Sequence, residues 1–332
     1  MRLPQEIYYE EGALEKCPSF LPKGGVIVID ENLKELYGVG FAKKIGAPLL
    51  TIPSGEAAKR FCVVERVLNQ LFELGIDRET TLIAVGGGST TDLVGFVASI
   101  ALRGLPLVLI PTTLLAMVDA AIGGKTGVNC SFGKNLIGSF YPPKQIVIDP
   151  NVLTTLPKKE YLAGLAEIWK LGLVLDLRLW KKKDILLAIQ GKLFVTEKDP
   201  KEQGFRRILN FGHTIGHALE KVSNFQISHG EAVLMGCATE AHLSQEIGLL
   251  QENEFCEIEA FYVQFFSKLP ATYSREKLLD AMRYDKKVKG GEVRFVLIDK
   301  IGHAASFEGA YCRAVSFQEL EKSLAWLESH CG

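Results

Sequence analysis

Four short apolar runs in the first half of the chain constrain its fold more than any other feature. They are residues 25–30 (GVIVID), 81–85 (TLIAV), 106–110 (PLVLI) and 145–149 (QIVID), each bounded by an acidic residue, glycine or proline. Their length and β-branched content are those of strands buried on both faces. Between them, residues 57–74 and 91–102 place apolar side chains at helical spacing. Alternation of this kind predicts a mostly parallel sheet covered by helices. The period changes after Leu156-Pro157. From residue 160 to about 250 the spacing is helical, as in Tyr161, Leu162, Leu165, Ala166, Ile168 and Trp169. The remainder reads as helix and loop, apart from one strand-like run at 293–298. A chain of 332 residues is also longer than one hydrophobic core usually grows. The expectation is an α/β domain over 1–157 and a mainly helical domain over 158–332.

Composition narrows the function. A net charge of −1 leaves no electrostatic footprint for nucleic acid or an anionic membrane. Basic side chains should therefore act locally, on a small anion. The most apolar stretch, residues 105–122, is broken by Pro111, two threonines and Asp119, which argues against a membrane span. The N-terminus lacks the apolar core of a secretory signal. Seven dispersed cysteines, with no C-x-x-C pair, read as reduced, buried thiols. The compartment expected is the cytoplasm.

Three constellations could carry chemistry. Gly86-Gly87-Gly88-Ser89-Thr90-Thr91-Asp92 follows a strand and opens a helix, where side-chain-free backbone can offer N–H donors to a pyrophosphate. The competing reading is a tight turn with Thr and Asp as helix caps. Gly123-Gly124-Lys125-Thr126-Gly127 is not a P-loop, because Asp119 stands where the first glycine belongs. Together with Gly133-Lys134-Asn135 it puts two lysines on glycine-rich loops, suited to an anionic small molecule. The third is the densest. Three of six histidines fall at His213, His217 and His229, with glycines beside each, and His213 and His217 share a helix face. Imidazoles with one carboxylate and an open position suit Zn²⁺ as a Lewis acid. Spacing leaves Glu167, Glu231 and Glu202 as candidates for the carboxylate. It also leaves His217 as either a ligand or a proton shuttle.

Taken together, these residues resemble the 3-dehydroquinate synthase family of the sugar phosphate cyclases. The matching segments are GGGSTTDLVGF (86–96), ALRG (101–104), IPTTLLAMVD (110–119), GGKTGVN (123–129), GKNLIG (133–138), LAEIWKLG (165–172), RRILNFGHTIGHA (206–218) and HGEAV (229–233). These segments lie between residues 86 and 233, and the resemblance as a whole runs over about residues 25 to 300. The resemblance implies a nucleotide-binding α/β domain, a helical metal-binding domain and a site in the cleft between them. It implies Glu167, His213 and His229 as ligands of a divalent ion, Zn²⁺ or alternatively Co²⁺, and His217 and Glu202 at acid/base positions. NAD contacts implied are Asp30, Asn32, Glu56, Lys59, Gly87, Gly88, Asp92, Thr112, Thr113 and Asn135. Substrate contacts implied are Asp119, Lys125, Lys134, Lys170, Lys192, Arg206, Asn210 and one of Lys286 and Lys287, with Lys125 and Asn210 close to the chemistry. Arg103 matches an arginine that reaches the neighbouring subunit's phosphate site, which implies a homodimer. Two departures stand out. Ser89 and Thr91 replace the family's usual Val and Gly in the turn, so that turn must accept a right-handed conformation at Thr91. The chain is also short for the family.

The implied reaction is that of a phosphate-eliminating lyase on a sugar phosphate. 3-Deoxy-D-arabino-heptulosonate 7-phosphate becomes 3-dehydroquinate and phosphate in the shikimate pathway of aromatic amino acid biosynthesis. Transient oxidation by NAD⁺ acidifies the proton beside the phosphate-bearing carbon; elimination, return of the hydride, ring opening and aldol closure follow. The nearest alternative is another sugar phosphate cyclase, and a more distant one is a metal-dependent polyol dehydrogenase. The dehydrogenase would have no need for so many phosphate-facing lysines.

Overall fold

The computed structural model describes residues 6–16, 21, 25–283 and 293–331, so Lys286 and Lys287 lie outside the described residues. The chain divides into two compact units, Met1–Pro157 and Lys158–Gly332.

The first unit is built on strands β1 (Glu6–Tyr9), β2 (Val26–Asp30), β3 (Leu49–Ile52), β4 (Leu82–Gly86), β5 (Leu107–Pro111) and β8 (Gln145–Ile148). They form one parallel sheet in the order β1-β8-β5-β4-β2-β3. The central strands β4 and β5 are buried along their whole length, which is why they read as unbroken apolar runs. The edge strands β1 and β3 are only partly buried and carry no such signal. Helices α1 (Ala13–Lys16), α2 (Val39–Ile45), α3 (Phe61–Glu73) and α4 (Gly88–Ile100) complete the unit. On α3 the buried residues Val63, Val64, Val67 and Leu71 form one stripe. The chain leaves β2 toward β3 on one side and leaves β4 toward β5 on the other. That reversal is the switch point at which open α/β sheets bind ligands beyond their strand ends.

Gly123 and Gly124 form a bend, but residues 125–127 and 133–135 are strand rather than the loops expected. Those strand residues belong to an antiparallel hairpin of β6 (Lys125–Cys130) and β7 (Gly133–Phe140). Its glycines answer to packing: a Cβ on Gly138 would lie 2.2 Å from the Thr126 carbonyl oxygen, and one on Gly95 of α4 would lie 2.5 Å from Thr126 Cγ2. Lys125 stands opposite Phe140 at the open end, and Lys134 follows Gly133 at the turn end. Lys134 and Phe140 are six steps apart along the strand, roughly 20 Å. The two lysines therefore stand at opposite ends of the hairpin.

The second unit comprises α5 (Lys158–Val174), α6 (Ile185–Lys198), α7 (His213–Val222), α8 (His229–Glu246), α9 (Glu252–Tyr262), α10 (Arg275–Arg283) and α11 (Phe317–His330). Helix α8 is its axis, buried from Ala232 through Ser244, with α5, α7, α9 and α11 packed around it. The expected strand at 293–298 is split into β9 (Arg294–Phe295) and β10 (Ile298–Lys300), which pair with different partners, β12 (Arg313–Ala314) and β11 (His303–Ala304). Phe295, Val296, Leu297 and Ile298 are all buried, so the run is apolar because it is core. Among the described residues no helix is long and apolar enough to cross a membrane. The cysteines described are all free; Cys237, Cys312 and Cys331 are buried as expected, whereas Cys62 and Cys256 are exposed.

Candidate functional site

Close helix crossings in the second unit bring three side chains together. On α7, a Cβ at Gly216 would meet the Ala232 carbonyl oxygen of α8 at 3.0 Å. On α8, a Cβ at Gly236 would lie 2.0 Å from the Gly212 oxygen, and one at Gly230 would lie 2.6 Å from Ala163 Cα on α5. Any larger residue at these positions would force the helices apart. The backbones therefore approach closely where α7 carries His213, α8 carries His229 and α5 carries Glu167.

Glu167 is buried, and its Oε2 pairs with the equally buried Lys170 one turn along α5. Its Oε1 is buried and accepts no hydrogen bond. That oxygen faces His213 Nε2 at 3.4 Å and His229 Nε2 at 3.7 Å. Two ligands placed 2.0–2.1 Å from a tetrahedral ion stand about 3.3–3.4 Å apart, so the spacing suits a zinc-sized cation. Each imidazole is oriented from behind. His213 Nδ1 donates to the Phe211 carbonyl at 3.1 Å, and His229 Nδ1 lies 3.5 Å from Glu220 Oε2. Outer partners of this kind commonly fix the tautomer of metal-binding histidines and aim Nε2 at the ion.

The electrostatics follow from burial and from shared partners. Burial pushes the His213 imidazole down, with help from the Lys170 charge and against the pull of Glu167. Burial acts downward on His229 too, but the carboxylates of Glu167 and Glu220 beside it outweigh it and raise the group to about 10. Burial alone would raise the Glu167 carboxyl, yet Lys170 and His213 hold it well below the usual range. The cluster thus sets a carboxylate held in its ionised form against two imidazoles. A divalent cation suits this donor set.

The rival carboxylates are otherwise engaged. Glu231 closes the capping box of α8, taking Ser228 N–H at 2.9 Å on Oε2 and Ser267 Oγ–H at 2.7 Å on Oε1. Glu202 accepts Asn210 Nδ2–H at 2.6 Å. His217 is exposed one turn beyond His213, their ring centroids 5.1 Å apart. Lys192 on α6 and Arg206 are buried. Asp199 shapes the loop that carries Glu202 and Arg206 by accepting the N–H groups of Gln203, Gly204 and Arg206.

In the first unit most of the proposed nucleotide contacts gather at the carboxyl ends of β2, β4 and β5. Asp30 ends β2 and accepts Asn32 N–H at 3.0 Å. Gly87 precedes α4 without any side-chain cap. Thr91 lies within α4 and bonds Gly88 O, and Asp92 pairs with Lys59 Nζ at 2.5 Å, so neither caps the helix. The first-turn N–H groups thus have neither a preceding helical carbonyl nor a side-chain acceptor, the arrangement that binds phosphate. The Thr112 N–H donates to Gly86 O at 2.9 Å, while Thr113 packs where a Gly87 Cβ would stand. Lys59 also donates to Asn135 Oδ1, Asn135 N–H to Asn129 Oδ1 at 2.9 Å, and Asn129 Nδ2 to Glu56 Oε2 at 2.7 Å. One polar network therefore joins Glu56, Lys59, Asp92 and Asn135. Asp119 sits on the turn Ala116–Ala120, half-buried.

Arg103 is exposed within an unusual segment. Leu102, Arg103 and Gly104 have φ of 49°, 67° and 128°. At the two non-glycine residues such backbone costs about 1–3 kcal/mol each and persists where the surroundings hold it. Here Tyr141 Oη–H donates to Leu105 O at 2.7 Å.

Sequence reasoning missed Glu220 and Glu240. Glu220 had a signal, since it lies three residues after His217 on the same helix face. Glu240 had none, because its partner Gly212 is distant in sequence.

A doubly wound parallel sheet followed by a helical unit is the make-up of the sugar phosphate cyclases. Two solved structures of that class match almost the whole chain. One is a 2-epi-5-epi-valiolone synthase from Streptomyces hygroscopicus subsp. jinggangensis with NAD⁺ and Zn²⁺ bound (28% identity, TM-score 0.85, 99% of this chain and 98% of that one). The other is a 2-deoxy-scyllo-inosose synthase complexed with carbaglucose-6-phosphate, NAD⁺ and Co²⁺ (25% identity, TM-score 0.85, 97% and 96%). Residues 49–163 match the family model for the 3-dehydroquinate synthase N-terminal domain, and residues 164–288 that for the C-terminal domain. A curated 3-dehydroquinate synthase from Campylobacter concisus is 44% identical over 272 residues, covering 77% of this chain and 78% of the relative. The chain belongs to the 3-dehydroquinate synthase family.

The donors fall into two groups that share His229, Glu167–His213–His229 and His217–Glu220–His229, and substitution distinguishes them. His213→Ala and His229→Ala should each abolish zinc binding in equilibrium dialysis, since each removes one of three donors. His217→Ala should keep the metal and lose turnover by about 10²- to 10⁴-fold. Loss of metal in His217→Ala would show that the inner triad is wrongly drawn.

Proposed function

We propose that this protein converts 3-deoxy-D-arabino-heptulosonate 7-phosphate to 3-dehydroquinate and phosphate, as a phosphate-eliminating lyase using NAD and a divalent metal ion. The observation that carries the reading is the buried Glu167–His213–His229 donor set, oriented from behind, in a chain of this family. The first unit is assigned to NAD and the second to metal and substrate.

When bound, NAD⁺ supplies a hydride acceptor that acidifies the proton beside the phosphate-bearing carbon and later returns the hydride, while Zn²⁺ or Co²⁺ supplies Lewis acidity toward vicinal hydroxyls. The remaining work falls to the protein's own side chains. Glu167, His213 and His229 hold the ion, and Lys170 keeps the Glu167 carboxylate ionised and turned. Lys192, Arg206 and Asn210 are assigned to the substrate's anionic and hydroxyl groups, as are Asp119 and Lys125. Buried cations reach such groups with less screening than surface ones, fixing geometry as well as charge. His217, exposed beside the triad, accepts and returns protons, and Glu202 is held for the same task by Asn210.

Cofactor contacts are assigned to Asp30, Asn32, Glu56, Lys59, Gly87, Gly88, Asp92, Thr112, Thr113 and Asn135. The uncapped start of α4 at the switch point supports a diphosphate there. Lys134 adjoins Asn135 at the turn end of the hairpin, away from Lys125, and suits the cofactor better than the substrate. We place the enzyme in the cytoplasm as a homodimer, with Arg103 completing the partner's phosphate site; the held, exposed backbone at 102–104 supports that role.

Incubated with the heptulosonate phosphate, NAD⁺ and Zn²⁺, the purified protein should release stoichiometric phosphate without accumulating NADH. Stoichiometric NADH would instead mark a dehydrogenase. Arg103 has its own check. Arg103→Ala and His213→Ala should each be inactive alone, and mixed subunits should regain activity, because one site then has both groups. No recovery in a verified mixed dimer would place Arg103 outside the partner's site.

A further inference from the structure

Glu240 plays no part in the chemistry above, yet it is fully buried on α8 directly against the first turn of α7. Its Oε2 accepts the Gly212 N–H at 2.7 Å, and its Oε1 faces the Ile215 N–H at 3.4 Å. These N–H groups belong to a helix start, where no preceding helical carbonyl is available to them. Gly212 is held at φ +76°, and a Cβ there would come within 2.4 Å of Cys237 Sγ. The turn is thus clamped onto α8.

The Gly212 N–H and the Phe211 carbonyl belong to one peptide plane. The carbonyl at the other end of that plane accepts the His213 Nδ1–H at 3.1 Å. A continuous chain runs from the Glu240 carboxylate through a single peptide group to the imidazole whose Nε2 faces Glu167. Hydrogen bonds in such chains polarise one another, and a charged acceptor at one end makes the carbonyl at the other a stronger acceptor.

We propose that Glu240 is a positioning residue for the metal centre: through the 211–212 peptide it fixes the orientation and tautomer of His213 and strengthens Nε2 as a donor. This rests on the metal reading of the Glu167–His213–His229 cluster. The role differs from that of Glu220, which stands directly behind His229. It explains why a carboxylate is kept in a helix that is otherwise core, at the positive end of a ten-residue helix.

The test compares Glu240→Gln, which keeps an acceptor but loses the charge, with Glu240→Ala, which loses both. Zinc affinity is read by competition with a chromophoric chelator, and the ligand field by the visible spectrum of the Co²⁺-loaded protein. Glu240→Gln should weaken zinc binding by about 10- to 100-fold and shift the cobalt bands, with Glu240→Ala worse. Thr239→Val, which removes a neighbouring buried hydrogen bond to Met235 O, should leave affinity and spectrum unchanged. A folded Glu240→Gln with unaltered affinity and spectrum would overturn the proposal, as would an equal effect of Thr239→Val. In the unaltered protein, zinc should slow amide exchange at Gly212, because coupling between sites is reciprocal. Unchanged exchange there overturns the proposal whether or not the variants fold. If the unaltered protein binds no zinc, the metal reading itself falls, and this one with it.

Discussion

The second unit is organised around one buried carboxylate. Glu167 has its two oxygens in different surroundings, Oε2 against Lys170 and Oε1 toward two imidazole nitrogens. Burying an ionised carboxylate is costly unless cations or donors surround it. Lys170 meets part of that cost and keeps the group charged. The Oε1 side remains a strong, unshared acceptor, held 3.4 and 3.7 Å from two Nε2 atoms. Among the described residues no donor satisfies it, and a site of this kind suits a cation.

Its geometry is a property of backbones more than of side chains. Gly212, Gly216, Gly230 and Gly236 permit α5, α7 and α8 to approach so closely that their side chains converge. Carboxylates behind the histidines then reduce their freedom, Glu220 directly and Glu240 through a peptide. The same logic of glycine for approach recurs in the first unit. There Gly127 and Gly138 let the hairpin strands meet, and Gly95 seats α4 against β6.

How much of this was legible depended on whether the signal was local. Strands β2, β4, β5 and β8 announced themselves because burial on both faces makes an unbroken apolar run. The edge strands β1 and β3 did not, since partial exposure mixes their composition. The hairpin read as loops because its glycines, spent on close packing, carry the same letters as flexible segments. Within the site, the histidines were visible by spacing, but the choice of Glu167 among three carboxylates needed the family resemblance. The structure supplies the reason in hydrogen bonds. Glu231 is consumed by its own helix cap, which Ser228 three residues earlier could have signalled, and Glu202 is turned toward Asn210. Glu240 was invisible because a contact spanning 28 residues leaves no local pattern.

The most direct test of the central claim is anomalous diffraction at the zinc edge from crystals grown with Zn²⁺. The account predicts one strong peak at about 2.0–2.2 Å from Glu167 Oε1, His213 Nε2 and His229 Nε2. A peak instead among His217, Glu220 and His229, the other grouping of donors within reach of one another, would contradict it.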